Sequence, residues 1–166
     1  MGSIESVALI GSFKQHYQEV EEVSQAFGQA GLTVTSPRGV CIVEEGMPFV
    51  RFECDPAEWS DEMVQTVALH RILRADFVYV VAPHGYIGRA TCYEIGRVIQ
   101  ARRPIHFSHP PTDLPLLIPS ANISTCEEIV AKIASGGFTP LQIHATVYGE
   151  IGELEQKLVD ERYSEI

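Results

Sequence analysis

Glu94 is the carboxylate of this chain whose sequence surroundings best suit chemistry on a bound ligand. It follows a glycine-punctuated stretch, Gly85-Tyr86-Ile87-Gly88, and sits where the pattern turns helical from Ala90 onward. Cys92, Ile95, Val98 and Ile99 recur there at three- and four-residue spacings, one face of a helix. Phe77 to Ala82, just before the glycines, is a continuous apolar run rich in β-branched residues. Such a run reads as a strand buried on both faces. Pro83, Gly85 and Gly88 then turn the chain at the strand's carboxyl end, where open α/β sheets bind ligands. Two roles fit Glu94 in the first helical turn. Thr91-Cys92-Tyr93-Glu94 matches a capping box, in which the glutamate only closes the helix start. Alternatively the carboxylate faces the cleft, kept ionised by the helix N-terminus, as a nucleophile must be. Spacing alone leaves both open.

The elements that must position Glu94 follow from the rest of the pattern. Ser6 to Ile10 reads as a first buried strand, with Gly11-Ser12-Phe13-Lys14 as the loop at its carboxyl end. Gln15 to Ala30 is helical, with Tyr17, Val20, Val23, Ala26 and Phe27 as its apolar stripe and Gly31 as its stop. Leu32 to Thr35 is a second strand. Val40 to Asp55 suggests a hairpin or flap around Glu44-Glu45-Gly46-Met47-Pro48. Ser60 opens another helix, with Asp61 and Glu62 in its first turn and Met63, Val67, His70, Ile72 and Leu73 as its inner side. Ile105 to Phe107 is a fourth strand, and the proline-rich segment from His109 to Pro119 is a loop. Thr125 and Glu128 make a capping box for a helix from Cys126 to Ala134. Residues 145–166 carry Val147, Ile151, Leu154, Leu158 and Val159 on one helical face, a packing or subunit-contact helix. The expectation is a single α/β domain over 1–166, Rossmann-like or flavodoxin-like, with a parallel sheet of about five strands.

Composition narrows the function. With 12 basic residues against 22 acidic ones, the net charge of −10 argues against nucleic acid or an anionic membrane surface as partner. A small phosphorylated ligand, which needs only a few local cations and backbone N–H groups, stays open. Cys41, Cys54, Cys92 and Cys126 show no CxxC spacing, and His106 and His109 lack a second ligand pair, so no metal is expected. Cysteine usage and the absence of a signal peptide or membrane span lead to an expected cytoplasmic location. A dinucleotide-binding oxidoreductase is disfavoured, because no GxGxxG follows the first strand.

Four blocks together, Asp76-Phe-Val-Tyr-Val-Val81, Gly85-Tyr-Ile-Gly88, Tyr93-Glu-Ile-Gly96 and Arg103-Pro-Ile105, resemble the nucleoside 2-deoxyribosyltransferase superfamily. That group includes the 2′-deoxynucleoside 5′-phosphate N-hydrolases and the cytidylate N-glycosidases. Gly11-Ser12-Phe13-Lys14 is similar to the family's first loop, and the resemblance covers roughly the first two-thirds of the chain. It implies cleavage of an N-glycosidic bond, with Glu94 attacking the anomeric carbon and no cofactor. A retaining two-step displacement would follow. It also implies that Tyr17 hydrogen-bonds Glu94, the other reading of Tyr17 being a core aromatic. Gly11, Ser12, Phe13 and Lys14 of the first loop, with Gly85, Tyr86, Gly88, Arg89 and Thr91 of the turn before the catalytic helix, would bind a nucleoside or its 5′-monophosphate. A homodimer or larger assembly is implied as well. One departure stands out: the family's second acid, in the helix before the central strand, falls near Ala68. His70 could supply the proton transfer instead, or be merely packed. Glu53 and Asp55 are further substitutes, whereas Asp76 reads as structural. Beside the glycosidase stand two alternatives, a non-catalytic nucleotide-binding or sensing module and a nucleoside deoxyribosyltransferase.

Overall fold

The computed structural model describes residues 4–38, 51–52 and 54–143. Most of the expected flap, with Cys41 and Glu53, and the helix expected over 145–166 lie outside the described residues. The elements are β1 (Ser6–Gly11), α1 (Tyr17–Gln29), β2 (Thr33–Ser36), α2 (Asp61–Arg74), β3 (Phe77–Val81), α3 (Arg89–Gln100), β4 (Ile105–Phe107) and α4 (Cys126–Ala134). All four strands are parallel, in the order β2-β1-β3-β4. The α/β class with a parallel sheet is as the sequence predicts, but the sheet has four described strands rather than about five. A single bridge between Phe107 and Ile123 stands where a fifth strand would pair. No helix among the described residues is long and apolar enough to cross a membrane.

Strand alternation builds two apolar layers. Ala8, Ile10, Val78, Val80, Ile105 and Phe107 point to one face, where they meet Ile72 of α2 and Ile95 and Val98 of α3. Val7, Leu9, Phe77, Tyr79 and Val81 point to the other, against Val20 and Phe27 of α1 and Ile129 of α4. β1 and β3 are buried on both faces, the reason their sequences show no polar alternation. Asp76 ties the starts of β1 and β3 together. It accepts from the Glu5 and Ser6 amides at 2.9 and 2.8 Å and from the Ser6 hydroxyl at 2.9 Å. Partial burial raises its pKa, but these hydrogen bonds and nearby Arg103 more than offset that, leaving it below the usual value. Asp76 is structural.

Two helices differ from their predicted form. In α2 the buried residues are Val64, Leu69 and Ile72, while Met63 is 56% exposed and His70 lies on the outer surface. In α3 the cap is Gly88, so Thr91 is already the third helical residue and Glu94 the sixth. The capping box at Thr91 does not form, and Glu94 lies in the second turn, below the reach of the helix-end N–H groups. The Thr125–Glu128 box, by contrast, has both its reciprocal bonds.

Candidate active site

β1 connects outward to β2 on one side, whereas β3 leads to β4 on the other, so the strand order reverses between β1 and β3. Above the carboxyl ends of such a pair the two connections diverge and leave a crevice. A cavity of about 310 Å³ occupies it. Its wall combines the loop after β1 (Gly11 to Gln15), the end of β2 (Ser36 to Arg38), one face of α2, and the turn into α3.

The turn is held from outside. Gly85 has φ +80°, and a Cβ there would stand 2.5 Å from the Pro110 carbonyl oxygen. No other residue fits that position. Gly85 is thus buried support beneath the turn and not part of the cavity wall. Gly88 does line the cavity, and a Cβ there would lie 3.7 Å from Ser12 Oγ and 3.9 Å from Thr91 Oγ1. Two hydroxyls from separate elements therefore flank the start of α3. Gly88 offers that start no side-chain cap, so the first N–H groups of α3, at the cavity wall, carry no capping side chain. Lys14 and Arg89 also line the cavity, both exposed.

Glu94 forms part of the wall and is only 8% exposed. Gln65 Nε2 donates to its Oε1 at 3.0 Å. Burial pushes the carboxyl pKa up to about 7, against the opposing pull of the Gln65 hydrogen bond. The expectation that the helix N-terminus holds it ionised is therefore corrected: desolvation governs this group, because it sits a turn below the helix end.

Of the residues singled out in the sequence, Gly11, Ser12, Phe13, Lys14, Tyr86, Gly88, Arg89, Thr91 and Glu94 line this one cavity. Two other predicted site residues lie off that wall. Tyr17 lines an adjoining recess with Phe13, Val20, Pro37 and Phe52. His70 lies on the exposed side of α2, 3.4 Å from Arg74 Nη1, because two residues beyond Ala68 turn about 200° around a helix.

Ala68 itself does line the cavity, at the position where the resemblance calls for an acid. Asp55 is a second carboxylate on the wall, its Oδ2 accepting from the Phe52 amide at 2.9 Å. Gln65, Arg38 and Arg71 also line the cavity and were not singled out by the sequence. A polar stripe among apolar residues of α2 was the available signal. Gln65 and Arg71 blur the apolar stripe of α2, which is why its inner face differs from the one the sequence predicts. Phe13 and Phe52 meet edge to face at 5.5 Å on the rim, and Tyr86 packs against His16 at 5.9 Å, giving the opening an aromatic border.

Buried groups off the site have local roles. His106 on β4 accepts from the Leu141 amide at 3.2 Å, and burial lowers its pKa to about 4, so it is neutral. Among the described residues no group of three or more His, Cys, Asp or Glu is placed to hold a metal. Compared with known protein families and with curated proteins, the chain matches no family model and shows no significant match to any curated sequence.

Proposed function

We propose that this protein hydrolyses the N-glycosidic bond of a nucleoside 5′-monophosphate. The observation that carries the reading is a buried carboxylate, Glu94, on a switch-point cavity whose upper end offers hydroxyls, cations and helix N–H groups. Those groups suit a phosphate dianion. Phe13, Phe52 and Tyr86 give the cavity apolar aromatic surface beside these polar groups.

In this reading the phosphate rests against Ser12, Thr91 and the start of α3, with Lys14 and Arg89 neutralising it. C1′ then lies against Glu94. The deprotonated carboxylate attacks C1′, the C1′–N bond breaks with its electron pair on the base, and a glycosyl ester forms. Water displaces the ester and returns Glu94 to its carboxylate. Both steps occur at one carbon, so the sugar retains configuration. Gln65 orients the carboxylate and, by donating to its charged form, favours the nucleophile. In water a carboxylate is solvated and sluggish; at 8% exposure it attacks without shedding a hydration shell.

The second reading, a nucleotide-binding module without catalysis, rests on Ala68 standing in the wall in place of an acid. Both are tested by chromatographic release of free base from common ribo- and deoxyribonucleoside monophosphates and nucleosides, by wild type and Glu94→Gln. Release by wild type that the variant loses, with folding intact, supports the hydrolase. Absence of release from every compound, with thermal stabilisation by nucleotides, supports the binding module.

A further inference from the structure

The part of the cavity wall built by α2 and the end of β2 is also cationic. Arg71 lines it and is half-buried, and its carbonyl accepts from Thr35 Oγ1 at 3.3 Å, which sets that turn of α2 against β2. Val64, Ala68 and Arg71 fall at i, i+4 and i+7, one stripe of the helix, and all three line the cavity. Arg38 joins them from the end of β2. Among the described residues the ion pairs are Arg51 with Asp61 and His16 with Glu19, so neither Arg38 nor Arg71 has a carboxylate partner there. A partly desolvated guanidinium on a cavity wall is placed to meet an anion or carbonyl oxygens.

The position of Glu94 along α3, in contact with α2, gives this cation a role. Both α2 and α3 connect parallel strands, so both run back from the carboxyl edge of the sheet. Glu94 lies roughly 8 Å along α3 from its first residue. Gln65, which touches Glu94, is followed roughly 9 Å farther along α2 by Arg71. A nucleotide with its phosphate at the start of α3 and C1′ at Glu94 thus extends its base towards Arg71.

Resting on the glycosidase reading, the geometry points to Arg71 as the group that stabilises the leaving base, and to a base that departs as an oxygen-bearing anion. A guanidinium donates hydrogen bonds but supplies no proton at neutral pH. Ala68 supplies none either. Asp55 has one oxygen engaged by the Phe52 amide in the turn it closes. The chemistry therefore favours bases acidic enough to leave unprotonated, the pyrimidine-diones and oxopurines with a carbonyl beside the scissile nitrogen or conjugated to it. Cytosine, a much weaker N1 acid than uracil, and adenine, which has no carbonyl oxygen for Arg71 to meet, are disfavoured. When the C1′–N bond breaks, the electron pair passes onto the ring nitrogen and its carbonyl oxygens, facing Arg71. The water that later attacks C1′ gives its proton to that base anion, so nucleotide and water become sugar phosphate and neutral base.

The test compares base release from uridine, 5-fluorouridine and cytidine 5′-monophosphates by wild type, Arg71→Met, Arg71→Lys and Asp55→Asn, with circular dichroism on each variant. Wild type is expected to release uracil at least about 100-fold faster than cytosine. Arg71→Met is expected to lower kcat for uridylate by about 100- to 1,000-fold, the usual effect of removing one donor to a developing oxyanion. It is expected to cost 5-fluorouridylate about tenfold or less, since the more acidic base needs less help; loss of packing alone would slow both alike. Arg71→Lys, which keeps the charge, recovers part of the uridylate rate and covers a misfolded methionine variant. Faster release of cytosine than uracil, equal losses on both uracils, or loss of all release in Asp55→Asn overturns the inference while leaving the glycosidase standing. No release from any nucleotide overturns both.

Discussion

Replacing Glu94 by glutamine should stabilise the protein, and by an amount that depends on pH. The carboxyl belongs to the 4.5 range when unfolded and is pushed up to about 7 when folded, by burial. A folded pKa above the unfolded one means that the native state favours the protonated form. The contribution of that group to stability is present below pH 4.5 and is lost as pH rises towards and through 7. At about 1.4 kcal/mol for each pH unit, the full loss is about 3 kcal/mol. Glutamine has nearly the same shape, never ionises, and its carbonyl can accept the Gln65 hydrogen bond. Urea unfolding of wild type and Glu94→Gln should therefore nearly coincide at pH 4.5 and separate by about 3 kcal/mol at pH 8, the variant being more stable. Thermal melts at pH 8 should differ by about 6 to 12 °C for a domain of this size. Equal differences at the two pH values, or a less stable variant at pH 8, would show that the carboxyl is not held desolvated in the native state. The chemical argument built on a buried nucleophile would fall with it.

Three further outcomes follow from the same geometry. If the ionised Glu94 attacks, kcat/KM for base release should rise with pH through about 7, and Gln65→Leu should move that limb upward, because the lost hydrogen bond favours the carboxylate. Thr91→Val and Ser12→Ala should each raise KM for nucleoside monophosphates about three- to tenfold with little effect on the matching nucleosides, as measured by steady-state kinetics on both. Asp76→Ala should destabilise the fold by about 2 to 3 kcal/mol in denaturant titrations, since three hydrogen bonds joining β1 to β3 are lost together, while leaving KM nearly unchanged.

Local sequence determined much of this protein. Strands and helices whose neighbours impose a simple pattern, such as β3 with both faces buried or α4 with its reciprocal cap, are readable because the signal is contained within a few residues. The loop after β1, the turn into α3 and Glu94 were legible for the same reason: glycines and hydroxyls cluster at strand ends. What required the tertiary structure is what depends on packing between distant elements. Only the sheet order puts the loop after β1 beside the turn after β3, and only the pairing of α2 with α3 brings Gln65 to Glu94, 29 residues away. The pattern of α2 misled about its own inner face because cavity-facing Gln65 and Arg71 interrupt its apolar stripe, leaving exposed Met63 and His70 to look like core. The ionisation of Glu94 likewise could not be read from helix position, since desolvation is a property of the assembled wall and not of the residue's neighbours in sequence.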